Sequence, residues 1–178
     1  MGYQKDLSAV LTYPQMITVH DVVWTGITGC TTSDPTPGLG STLTGNAGWN
    51  NSYAASQRTI TGDGWISFQV TATNTDYGVI GLTLIAPPYS NSNNVLDYAF
   101  YPYGGDPYIE ELNQQPHHGG SYNTSSVFKI ARVGTQITYS INGSVYWTST
   151  KPSTGTLMFA ASFNSGPGII DALIYNGQ

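Results

Sequence analysis

The chain has 178 residues, 39% hydrophobic and 12% aromatic but only 8% charged, with a net charge of −5. A typical soluble domain is roughly 25% charged, so polarity here rests on Ser, Thr, Asn, Gln and Tyr. Five Lys and Arg, none clustered, disfavour nucleic acid, whose phosphates need concentrated positive charge, and no apolar run approaches the roughly 20 residues of a membrane span.

The length suits a single domain over residues 1–178, and no linker block or internal repeat divides it. The first residues lack the continuous apolar stretch of a signal peptide. Lys5–Val10 is the one segment that reads as a helical turn. Beyond it, short β-branched and aromatic runs alternate with Gly, Pro, Asn, Asp and Ser clusters. That pattern predicts many short strands in a sandwich or barrel. Cys30 stands alone, so an intrachain disulfide is excluded, and no basic neighbour lowers its pKa for thiol chemistry. The stretch "CTTSDPTPGLGS" (30–41) reads as the longest loop.

In "GWISFQVTA", Ile66, Phe68, Val70 and Ala72 alternate with Trp65, Ser67, Gln69 and Thr71. Period 2 puts each set on one side, so the first set faces a core and Trp65 faces solvent. Ile80, Leu82 and Leu84 form the core set of the next strand.

"VLDYAFYP" and "PYIEELN" flank "YGGD" and predict a hairpin. Leu96, Tyr98, Phe100 and Ile109 claim the core, with Glu111 on their side. Asp97, Ala99, Tyr101, Tyr108 and Glu110 then point outward, giving two tyrosines flanked by carboxylates. His117 and His118 follow in "QQPHHGG" and read as exposed loop residues, since no third metal ligand lies within sequence reach.

Asn142-Gly143 is the favoured pair for a two-residue type I′ turn. Regular pairing from that turn sets Tyr139 opposite Tyr146 and Thr138 opposite Trp147. Ile137, Tyr139, Ile141 and Tyr146 then share a core face, and Trp147 lies on the solvent face. Leu157, Phe159, Ala161 and Phe163 supply a further core set. The last strand, "IIDALIYN", is apolar on both faces except at Asp171. A carboxylate there is costly unless paired, hydrogen-bonded or bound to a cation.

The ordered pieces "VVWTGI", "LTGNAGWNNSYAASQRTITGDGWISFQV", "GVIGLTL", "LDYAFYPYGG", "YIEELN" and "VFKIARVGTQITYSINGSVYWTST" resemble a concanavalin-like jelly roll. Such domains occur in bacterial surface, glycan-active and phage tail proteins, and are related in shape to legume lectins and laminin-G modules. The resemblance covers about residues 20 to 150 and implies an all-β, two-sheet antiparallel jelly-roll sandwich. It implies that Trp49 covers the core. It also implies a structural Ca2+ against Asp171 as one alternative, calcium favouring oxygen ligands, although an ordinary hydrogen-bonded or edge-exposed aspartate is the favoured reading.

The function expected is non-catalytic, lectin-like binding of an oligosaccharide or polysaccharide for glycan or cell-surface attachment. The expected location is extracellular, on a cell surface or on a virion. Tyr101, Tyr108, Trp65 and Trp147 would stack on sugar rings, and Asp97 and Glu110 would accept their hydroxyls. The alternative is a structural or assembly domain of a virion, tail or surface protein, and oligomerisation stays open. A glycoside hydrolase ranks third. Its two carboxylates must flank one bond, and the Glu-x-Asp-x-x-Glu strand of glucanases with this fold is missing. Glu110 and Glu111 are adjacent, so a strand sends them to opposite faces.

Overall fold

The computed structural model describes residues 17–33, 40–48, 51–73, 78–84, 96–164 and 168–177. The helical turn expected at Lys5–Val10, residues 34–39 of the expected loop, and Trp49 lie outside these residues. Cys30–Ser33, read as loop, forms a strand instead.

Among the described residues there is no helix. In chain order the strands are β1 (His20–Asp21), β2 (Trp24–Thr28), β3 (Cys30–Ser33), β4 (Ser41–Gly45), β5 (Tyr53–Ile60), β6 (Gly64–Val70) and β7 (Gly78–Thr83). They continue as β8 (Tyr98–Tyr103), β9 (Asp106–Glu110), β10 (Phe128–Val133), β11 (Gln136–Ile141), β12 (Ser144–Thr148), β13 (Leu157–Phe163) and β14 (Gly168–Tyr175). One sheet runs β12-β11-β10-β6-β14-β4-β3, with β1 also on β14; the other runs β2-β5-β13-β7-β8-β9. Each strand pair is antiparallel. The chain changes sheets from β1 to β2, β2 to β3, β4 to β5, β5 to β6, β6 to β7, β9 to β10, β12 to β13 and β13 to β14, so the sandwich is wound as a jelly roll.

The inner faces meet over the residues that alternation assigns to the core. Ile66, Phe68, Val70, Ile80, Leu82, Phe100, Ile109, Ile137, Tyr139, Leu157, Phe159 and Phe163 are all fully buried. Phe68 stacks on Phe128 at 5.3 Å, Phe100 meets Phe128 edge-on at 4.9 Å, and Tyr139 meets Phe100 edge-on at 5.3 Å. Edge-on and offset geometries match the ring quadrupoles, so this aromatic layer fixes how the sheets sit on each other. Leu84 departs from its expected place: β7 ends at Thr83, and Leu84 is exposed.

Two further departures share one cause, a β-bulge. In β14 the pairing shifts between Ile170 and Leu173. Ile169 faces the core before the shift and Ala172 and Ile174 after it. Asp171 is the bulge residue, exposed, with φ of 53°. Aspartate tolerates that left-handed conformation better than most residues. In β12 the Asn142-Gly143 turn forms as expected, both residues having positive φ and Ile141 facing Ser144. The register then shifts, and Tyr139 pairs with Trp147 instead of Tyr146. Two residues oppose one at such a bulge, so Tyr146 and Trp147 both pack against the core. The solvent-face placement of Trp147 is thereby corrected.

One end of the sandwich is closed by Arg132, which is 2% exposed. Its guanidinium donates to the carbonyls of Ile60, Gly62 and Gly155 at 2.7–2.8 Å. Arg132→Ala leaves three carbonyls without their donor. At about 1.5–3 kcal/mol for a hydrogen bond to a charged group, urea unfolding should show a loss of about 3 kcal/mol or more. Arg132→Lys should recover only part of it, because an ammonium lacks the fork geometry.

Candidate functional site

The hairpin β8–β9 turns through Gly104 and Gly105, with φ of 58° and 86°. Both signs are positive, as a two-residue type I′ turn requires. The register follows: Tyr103 faces Asp106, Tyr101 faces Tyr108, and Ala99 faces Glu110. Each of these pairs points away from the aromatic core between the sheets; on that outer side Ala99 is fully buried in a second apolar cluster with Leu96 and Val79, against which Tyr101 packs. Tyr101 and Tyr108 therefore lie side by side, ring centroids 6.2 Å apart, as the sequence predicts.

The aromatic face is larger than that pair. Tyr103 stacks on Tyr101 at 5.7 Å and meets Tyr108 at 6.2 Å, and His118 stacks on Tyr108 at 4.7 Å. Tyr103 is 48% exposed, and Tyr101 and Tyr108 are half-buried. Asp106 forms the polar rim: it accepts from the Gly119 amide at 2.7 Å and meets His118 Nδ1 at 3.2 Å. Tyr103, Asp106 and His118 escape the sequence reading. Tyr103 was legible, since it lies two residues from Tyr101 on one strand. His118 was not, because its place depends on a fold-back.

That fold-back runs along the outer edge of β9, where the Ile109 amide donates to the His117 carbonyl at 2.8 Å. The β12 bulge clamps it. The His117 ring stacks on Trp147 at 4.7 Å. The Tyr146 hydroxyl lies 2.6 Å from the Pro107 carbonyl and 2.8 Å from that of Gly119. Burial, and then the charge of Asp106, push the Tyr146 hydroxyl up to about 12, so it remains a donor at neutral pH. Trp147 is thus a wall of the clamp, and its Nε1 is buried without a hydrogen-bond partner among the described residues.

The other expected site residues take different roles. Asp97 accepts from the Thr83 hydroxyl at 3.1 Å and the Leu84 amide at 2.8 Å, capping the end of β7. Glu110 is on the outer face as expected, but only 4% exposed, with Gln115 Nε2 at 3.5 Å. Glu111 faces inward and accepts from the Tyr139 hydroxyl at 2.9 Å. Burial, followed by the charge of Glu111, holds the Tyr139 hydroxyl well above its ordinary pKa. Trp65 is half-buried in β6, on the opposite sheet from the tyrosines. It lies 6.0 Å from Tyr175, with Lys129 Nζ 4.4 Å above its ring. The four aromatic residues expected to contact sugar, whose sheets alternation leaves open, are divided between the two sheets. Asp171 is exposed, which removes the desolvation cost that made it a cation candidate. Among the described residues no group of three or more His, Cys, Asp and Glu could hold a metal.

No protein-family model matches the chain, and no curated protein matches its sequence. Solved structures do match its fold. The SPRY domain of human HERC1 is 16% identical, with a TM-score of 0.59 over 84% of this chain and 93% of that one. The VIP36 exoplasmic/lumenal domain, in a Ca2+/Man3GlcNAc-bound form, is 9% identical, with a TM-score of 0.59 over 90% and 88%. The Bacillus licheniformis beta-glucanase is 12% identical, with a TM-score of 0.55 over 91% and 98%. The fold is the concanavalin-like jelly roll.

Burial raises the pKa of Glu110, and the Gln115 hydrogen bond only partly opposes this. The native state then holds the proton more tightly than the unfolded chain. Between the two pKa values it binds more protons, and stability falls as pH rises. Glu110→Gln should therefore raise Tm at pH 7. The gain should vanish when thermal scans are run below about pH 4, where glutamate is protonated in both states.

Proposed function

We propose that the β8–β9 face is a lectin-like, non-catalytic carbohydrate-binding surface. One observation carries the reading: Tyr101, Tyr103, Tyr108 and His118 form a continuous ring surface with centroid spacings of 4.7–6.2 Å. A pyranose offers a face of C–H bonds to such rings, whose π faces are negative and whose hydroxyls supply polar handles. Asp106 at the rim provides carboxylate oxygens for sugar hydroxyls. The saccharide bound by the VIP36 domain agrees with this use of the fold.

A hydrolytic reading has less support. Two carboxylates must reach one glycosidic bond, roughly 5–9.5 Å apart. Glu110 and Glu111 are buried on opposite faces, and Asp97 is held by its hydroxyl and amide donors. An extracellular, cell-surface or virion setting suits a glycan ligand and the low charge of the chain.

A glycan array probed with the intact chain, followed by calorimetry on the best hit, tests the proposal. Tyr103→Ala with Tyr108→Ala should weaken binding by roughly 30-fold, the scale of an aromatic hot spot of about 2 kcal/mol. Tyr103 is exposed, so the single Tyr103→Ala variant should keep the parent Tm and still lose affinity. An array without specific hits, combined with a defined oligomer by light scattering, would replace this reading with an assembly role.

A further inference from the structure

On the other flank of the molecule the chain passes from one sheet to the other. His20 and Asp21 pair with β14 in the first sheet, and Trp24 pairs with Ser56 in the second. At this crossover lies an open cavity of about 490 Å³, lined among the described residues by His20, Asp21, Val23, Gln57 and Arg58. None of these residues belongs to the tyrosine face.

Gln57 and Arg58 reach the cavity because β5 bulges. Pairing with β13 runs through Thr59 opposite Met158 and resumes at Ala55 opposite Ala160. Ser56, Gln57 and Arg58 thus occupy the place of a single residue. Ser56 is 2% exposed and holds the bulge: its hydroxyl donates to the Arg58 carbonyl at 2.6 Å and accepts from the Phe159 amide at 3.0 Å. The Gln57 amide donates to the Val23 carbonyl at 2.9 Å. A bulge with its polar groups satisfied is a fixed device for re-aiming side chains.

The cations of the chain are few, and most are engaged. Arg132 is buried against three carbonyls, Lys151 Nζ donates to the Glu111 carbonyl at 2.8 Å, and Lys129 lies over Trp65. Arg58 differs: among the described residues its guanidinium has no hydrogen-bond or ion-pair partner. Asp21 lines the same cavity but directs Oδ1 to the Gly40 amide at 2.7 Å. A guanidinium presents a rigid fork that matches a carboxylate through two parallel hydrogen bonds.

We propose that this cavity takes the carboxylate of an acidic sugar residue, with Arg58 as the fork and Gln57 and His20 as flanking donors. The inference extends the carbohydrate reading to a uronate-bearing ligand, but it stands on residues separate from the tyrosine face. The probes are a trigalacturonate and its methyl ester, titrated by calorimetry into the parent chain and into Arg58→Gln, Arg58→Lys and the Tyr103→Ala, Tyr108→Ala variant. The parent should bind the acid at least tenfold more tightly than the ester. Arg58→Gln should abolish that preference, and Arg58→Lys should restore only part of it. Equal affinity of the parent for acid and ester overturns the proposal, as does an unchanged preference in Arg58→Gln. Loss of ester binding in the tyrosine variant concerns the other face alone, so the two readings fail separately. Inorganic phosphate displacing the acid at equimolar concentration would overturn the carboxylate assignment in favour of a general anion site.

Discussion

Tyr146 and Trp147 both turn inward, and the tyrosine face depends on that break in alternation. A regular β12 would have sent Trp147 to solvent and left the edge between β12 and β9 open. The bulge supplies two large side chains where the strand spacing allows one. Trp147 provides a flat wall for His117, and the Tyr146 hydroxyl meets the Pro107 carbonyl of β9 and the Gly119 carbonyl of the fold-back. The fold-back after β9 is fixed from both sides, so His118 is held on Tyr108 rather than free in solvent. Removing the Trp147 ring would leave the hairpin tyrosines in register but deprive them of their fourth ring.

The hairpin itself is more autonomous. Its register comes from two glycines with positive φ, and its inward residues Phe100 and Ile109 are fully buried. Phe100 touches Phe68, Phe128, Tyr139 and Tyr146. The rings that stabilise the fold and those that face outward therefore alternate along the same strand. A substitution at Tyr98 or Phe100 disturbs packing, whereas one at Tyr103 changes only the surface. That separation makes it possible to probe recognition without unfolding the chain.

How much was legible in the sequence follows from where alternation is unbroken. Ile66, Phe68 and Val70 lie on a regular strand, and period 2 assigns them correctly. Tyr101 and Tyr108 lie opposite each other because the Gly-Gly turn leaves one register. Asp171 lies in a bulge and Trp147 just beyond one, where one extra residue reverses every later assignment. In both cases an odd residue marks the place: a lone aspartate in an apolar run, and adjacent Tyr-Trp where one aromatic would suffice. His118 could not be read from local pattern, since its neighbours Asp106 and Tyr108 reach it through the β9 edge. Trp65 was correctly placed outside the core, but alternation carries no information about which sheet's outer face it joins.

The two candidate surfaces show a division of labour that the composition makes necessary. A chain with five Lys and Arg in 178 residues cannot build recognition on an extended field of charge. Contact area has to come from aromatic rings, which lose few rotamers when they bind. Charge is then placed singly, and the proposed role of Arg58 on its bulge follows from that. The β5 and β12 bulges are alike in this respect: each leaves the inner aromatic layer intact while redirecting neighbouring side chains at the margin of the sandwich. The regular strands thus carry both the core and the hairpin tyrosines, and the bulges set what lies beside them: the clamp under His118 in one case and Arg58 in the other.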